Sequence, residues 1–197
     1  MKRWIVMAAA VLLAGCATVD GWMGWTTLID GDKGLENFNR GGDANWRAEN
    51  GAIVADKGQG GFLVTKHIYK DFQIRAEFYA EDTTNSGIFM RLQDVNKIGA
   101  NNSYEVNIYD RRPGQEYSTA GIVDFAKVPG TYKAAGKWNT FDITAKGSNL
   151  VVVFNGVKTV DIQDGKFAQG PFALQFGNHG KEPGGVIKWR KVQVKAL

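Results

Sequence analysis

Between Phe72 and Ala80 the chain alternates with a period of two. Phe72, Ile74, Ala76, Phe78 and Ala80 are apolar, whereas Gln73, Arg75, Glu77 and Tyr79 are polar or amphipathic. Side chains two apart on a strand share a face, so this run predicts a strand with one buried side. The same period returns at Phe141, Ile143 and Ala145, and at Phe172, Leu174 and Phe176. No segment sustains a helical period. A chain patterned this way has to bury its apolar stripes by stacking sheets.

The punctuation agrees. Asn50-Gly51 and Asn155-Gly156 each stand between apolar runs. An Asn-Gly pair accepts the positive φ that both central residues of a tight hairpin require. Short strands are expected at Trp25–Ile29, Trp46–Ala48, Ala52–Ala55, Phe62–Val64 and Thr119–Phe125, with one helical turn at Leu35–Phe38. At Arg190 and Lys191 the alternation slips, which predicts a bulge. The reading is all-β: an antiparallel sandwich or barrel in a single domain over residues 25–197.

The first residues stand apart from this pattern. Lys2 and Arg3 precede the apolar run Trp4–Leu13, which is too short for a membrane-spanning helix. Leu13-Ala14-Gly15-Cys16 then resembles a bacterial lipoprotein signal, cleaved before the cysteine that becomes the lipidated N-terminus. Residues 1–15 are expected to be a signal peptide and 16–24 a lipidated linker. An ordinary secretory signal with an incidental Cys16 is the competing reading. Lipidation would tether the chain to a membrane and place it in the periplasm. Ala17 after the cysteine favours the outer membrane. Cys16 is the one cysteine, so no disulfide can form within the chain.

Several function classes drop out. The formal charge of +4 falls to +2 without Lys2 and Arg3, and no Lys/Arg run occurs, so nucleic acid is not an expected partner. There is no nucleophile elbow, no phosphate-binding Gly-x-x-x-x-Gly-Lys and no paired-histidine zinc helix. Two histidines and one cysteine do not make a His/Cys zinc centre. A divalent ion held by Asp, Glu and carbonyl oxygens remains open.

What remains is the stretch Asn85–Asp110, read as two strands joined by a polar loop. Ile88, Met90 and Leu92 alternate with Phe89, Arg91 and Gln93. Tyr104, Val106 and Ile108 alternate with Glu105, Asn107 and Tyr109. In one sheet, Arg91, Glu105, Asn107 and Tyr109 could share a polar surface, with Asp110 just beyond it. Gln175 faces away from the apolar residues of its own strand and could join them. His179 lies in a glycine-rich segment at a sheet rim. Such groups suit acid–base work on a polyhydroxylated ligand. They equally suit a solvated sheet face, with Arg91 and Glu105 as a cross-strand ion pair and Asp110 starting a turn.

Beyond single residues, Asn85-Ser86-Gly87-Ile88-Phe89-Met90-Arg91, Tyr104-Glu105-Val106-Asn107-Ile108-Tyr109-Asp110, Gly136-Lys137-Trp138-Asn139, Phe154-Asn155-Gly156 and Leu174-Gln175 occur in this order. Together they resemble the 3-keto-disaccharide hydrolase domain family, from about Trp25 to Val194. The resemblance implies a concanavalin-like jelly roll of two antiparallel sheets. It also implies cleavage of glycosides whose C3 hydroxyl has been oxidised to a ketone. On that basis Glu105 is expected as base or metal ligand, Arg91 as oxyanion or substrate clamp, and Asp110 as ligand or orienting group. Asn107, Tyr109, Gln175 and His179 are expected to contact the carbohydrate. His179 stands two residues later than the histidine that many members carry after the Leu-Gln pair. A non-catalytic carbohydrate-binding or structural envelope lipoprotein is the alternative.

Overall fold

The computed structural model describes residues 19–20, 24–179 and 182–197. The signal and Cys16 lie outside them, as does the side chain of His179. The described chain runs through β1 (Val19–Asp20), β2 (Trp25–Asp30), a 3-10 turn (Leu35–Asn37), β3 (Phe38–Gly42), β4 (Arg47–Glu49), β5 (Ala52–Ala55), β6 (Gly61–Thr65), β7 (Phe72–Ala80), β8 (Ser86–Met90) and β9 (Tyr104–Ile108). It continues through a 3-10 turn (Gln115–Tyr117), β10 (Trp138–Lys146), β11 (Asn149–Phe154), β12 (Val157–Gln163), β13 (Ala173–Phe176), β14 (Asn178–His179), β15 (Glu182–Pro183) and β16 (Ile187–Ala196).

Two antiparallel sheets hold most of these strands. The larger has nine, in the order β1-β2-β16-β7-β10-β11-β12, with β5 on β16 and β4 on β5. The smaller has five, in the order β3-β6-β13-β8-β9. Apolar faces meet between them: Ile74, Phe78, Phe141 and Trp189 from the larger sheet join Leu63, Ile88, Met90, Tyr104 and Phe176 from the smaller in one buried cluster. Burying a side chain such as Phe78 completely contributes roughly 2–3 kcal/mol. Both Asn-Gly turns form with positive φ at each residue (Asn50 51°, Gly51 77°; Asn155 49°, Gly156 81°). The bulge on β16 falls between Trp189 and Lys191.

Two expectations fail for the same reason. The segment 119–125 is no strand, although Ile122 makes single bridges to Val106 and Ala126. Ala120 and Asp124 take φ of 76° and 64°, which breaks an extended run. At Arg91 φ is 54°, which ends β8 and shifts the alternation by one residue. A slip of one exchanges faces. Leu92 therefore leaves the core expected for it and joins Val64, Phe89 and Ala173 on the outer face of the smaller sheet, where Phe62 and Ile98 also pack.

Candidate functional site

The outer face of the smaller sheet carries the candidate site. Register aligns Asn39, Val64, Ala173, Phe89 and Glu105 in one row across it. The next row runs Gly41, Phe62 and Gln175. Leu174 pairs with Ile88, which brings Gln175 level with Gly87, and Gly87 pairs with Asn107. Glu105 and Gln175 thus reach the face predicted for them.

Glu105 is the most perturbed acid on this face. Burial pushes its carboxyl up to about 7, Arg112 draws it down and Asp124 adds to the rise. Among the described residues no hydrogen bond or ion pair holds the carboxylate, so the expected Arg91 pair is not made. Gly87 gives it room: a Cβ there would stand 3.3 Å from Cγ of Glu105 and 3.5 Å from Oε1. A carboxylic acid that ionises near neutrality is suited to proton transfer in both directions. Arg112 and Asp124, its charged neighbours, escaped the sequence reading because both sit on loops without periodicity. The pair Arg111-Arg112, directly after β9 and Asp110, was the available signal.

A cavity of about 470 Å³ opens on the smaller-sheet side near Gln175, lined by Gln59, Phe62, Asn85, Gln175 and Asn178 among others; Glu105 is not in its lining. Among the described residues, Oε1 of Gln175 is buried without a hydrogen-bond partner, so an acceptor waits in the lining. Phe62 meets Phe89 edge to face at 5.4 Å between centroids. Apolar rings beside unpaired amide oxygen match a ligand that mixes C–H faces and hydroxyls.

Three expected residues do other work. Arg91 is fully buried. Its Nε and Nη2 donate to the Lys70 carbonyl at 3.0 and 2.8 Å. Its Nη1 donates to the carbonyls of Gly147 and Phe167 at 2.9 and 3.0 Å, and Asp71 lies 3.3 Å away. The left-handed backbone turns this side chain off the polar face and into a clasp of three loops, so it is no substrate clamp. Asp110 is also buried; it accepts from Thr119 Oγ1 at 2.6 Å and from the amides of Ala134 and Ala135 at 3.0 Å. It fastens loops instead of facing a ligand. Asn107 is sealed beneath the 117–121 segment, where Nδ2 donates to the Tyr117 carbonyl at 2.6 Å and Oδ1 has no partner. Tyr109 keeps the parity of Glu105 and is half-buried, with its amide donating to Thr119 Oγ1. Among the described residues no three His, Cys, Asp or Glu side chains gather as a metal site.

A family model for the 3-keto-alpha-glucoside-1,2-lyase-like domain matches residues 24–195. The chain belongs to this family. Solved structures share the lyase-like domain's fold. A candidate glycosyl hydrolase from Parabacteroides distasonis ATCC 8503 is 23% identical, with TM-score 0.71 over 88% of this chain and 99% of its own. A second from the same organism is 18% identical, with TM-score 0.66 over 89% and 90%. A carbohydrate-binding module from Bacillus subtilis is 14% identical, with TM-score 0.56 over 88% and 96%. No curated protein matches. The family makes the chain a carbohydrate-related domain, and these neighbours share its jelly-roll fold.

Proposed function

We propose that this lyase-like domain cleaves 3-keto-glycosides by elimination followed by hydration, with Glu105 as the proton-transfer group. The observation that carries the reading is Glu105 itself: a carboxyl pushed to about 7 by burial, held by no partner among the described residues and given space by Gly87. A C3 ketone acidifies the proton on C2, and the glycosidic oxygen on C1 is then a β-leaving group. Glu105 takes the C2 proton, the C1–O electron pair leaves with the aglycone oxygen, which receives that proton from Glu105, and a 2-hydroxy-3-keto-glycal remains. Water then adds its oxygen to C1 and a proton to C2, which completes net hydrolysis. Arg112 is the cation beside Glu105 for the charge that develops on the C3 oxygen, in place of Arg91. Gln175 Oε1 accepts from a sugar hydroxyl.

The test is incubation with a 3-keto-disaccharide, watching for the glycal or 3-keto-glucose. Release that is lost in Glu105→Gln, with the fold retained, supports the reading. Full activity of that variant removes Glu105 from it. Sugar binding without turnover would instead make the chain a carbohydrate-binding protein.

The location belongs to the same proposal. Lys2, Arg3, the apolar run and Leu13-Ala14-Gly15-Cys16 support a lipid-anchored periplasmic protein at the outer membrane. Metabolic labelling with a radiolabelled fatty acid, lost in Cys16→Ser, checks it.

A further inference from the structure

A second and larger cavity, of about 750 Å³, lies on the same outer face, lined by Val64, Ile68, Leu92, Val95 and Pro171 with Lys66 at its rim. It joins the cavity lined by Gln175: Gly41, Val95 and Asn96 line both. The two halves differ in chemistry. The first presents the unpaired Gln175 oxygen. In the second, four polar side chains are engaged within the protein, while Asn39, Lys66, Asn96 and Gln169 also line it. Arg40 donates to the Trp46 carbonyl at 3.0 Å. Thr65 donates to the His67 carbonyl and accepts from the Phe172 amide. Gln93 donates to the carbonyls of Arg91 and Gln169. Asp94 accepts from the Asn96 amide.

Two large apolar side chains are nevertheless left open to solvent along this second cavity: Ile68 at 67% and Val95 at 51%. Exposed apolar surface lining a groove marks a binding site. An apolar ring system would meet Val64, Ile68, Leu92, Val95 and Pro171. At the junction, a Cβ added to Gly41 would touch nothing within 4 Å, so the passage between the halves is open there.

We infer that the second cavity is an aglycone subsite for apolar, aryl-type aglycones, so that the preferred substrates are 3-keto-glycosides of aromatic alcohols rather than disaccharides. This rests on the proposed cleavage for its chemistry, but its recognition can be read without turnover. Calorimetry compares an unoxidised aryl glucoside with a glucose disaccharide on the full chain and on Ile68→Asp and Gly41→Leu. The first substitution places charge in the apolar half, and the second fills the passage. The wild type is expected to bind the aryl glucoside at least about tenfold more tightly, and each variant to lose most of that advantage. Turnover of the matching 3-keto compounds should show the same ratio in kcat/KM. Equal affinity for the two ligands, or an aryl advantage that both variants keep, overturns the subsite. Aryl preference in binding with no turnover of either oxidised compound would leave the subsite standing and remove the cleavage reading instead.

Discussion

Gly87 lies against Glu105 so closely that a Cβ there would sit 3.3 Å from Cγ of the glutamate and 3.0 Å from the Val106 carbonyl oxygen. The missing side chain at Gly87 therefore sets where the carboxylate rests. Gly87→Ala forces a shift of a few tenths of an ångström in a strand pair that has little slack. Displacing a proton-transfer group by that order lowers kcat by about tenfold while the fold persists. The comparison is kcat against Tm in the same preparation. A fully active Gly87→Ala would mean that the position of Glu105 does not matter to turnover.

Glu105 also makes a stability prediction with a definite sign. Its carboxyl rises from an ordinary value of 4.5 to about 7 in the folded chain. Between those values the folded state holds a proton that the unfolded state has released. Stability therefore falls as pH rises from about 4.5 to about 7 and then levels. Glu105→Gln carries no ionisable group and escapes this loss. It should be more stable than wild type by roughly 2 kcal/mol at pH above about 7, and close to it near about 4.5. Turnover should drop by at least about 10²-fold in the same variant. Denaturant unfolding across this pH range reads the first effect, and an unchanged pH slope would place the carboxyl in ordinary solvent.

Arg112 and Asp124 act on Glu105 in opposite directions, and removing each should move the pH profile oppositely. Asp124→Asn deletes a negative neighbour and lowers the pH at which Glu105 ionises. Arg112→Gln deletes a positive one and raises it. If Glu105 is the base, activity rises with pH through about 7 in the wild type, earlier in Asp124→Asn and later in Arg112→Gln. Arg112→Gln also lowers the plateau, because it removes the cation assigned to the enolate. Coincident profiles for all three would exclude Glu105 as the group that titrates.

The strands were legible because burial on one side leaves a period of two. β7, β10 and β13 follow the Phe and Ile parity, and the two Asn-Gly turns sit where their positive φ is tolerated. Glu105 and Gln175 were legible for the same reason, since parity alone assigns a face. Arg91 was not. Arginine carries no preference for a left-handed backbone, so its φ of 54° and the slip it causes leave no mark on residue type. Asp110 and Asn107 were misread because the segments that cover them, around Tyr117 and Ala134, come from farther along the chain. Arg112 and Asp124 are fixed by loop paths that no short pattern encodes.

Arg91 supplies the sharpest contrast between the two readings of a basic residue on this hairpin. Its guanidinium holds the carbonyls of Lys70, Gly147 and Phe167 inside the protein. Burial pulls its ionisation downward, and the charge of Asp71 offsets part of that. Arg91→Met leaves those carbonyls and the Asp71 carboxylate short of a donor, which costs roughly 3–5 kcal/mol. For a domain of this size that lowers Tm by about 10 °C. Arg91→Lys recovers only part of the loss, because one ammonium cannot reach three carbonyls set around a planar fork. Thermal melts of both variants, with turnover measured well below their transitions, separate the roles. A melted-out Arg91→Met that retains turnover when cold confirms the clasp. A variant with wild-type Tm and no turnover would return Arg91 to the sugar site.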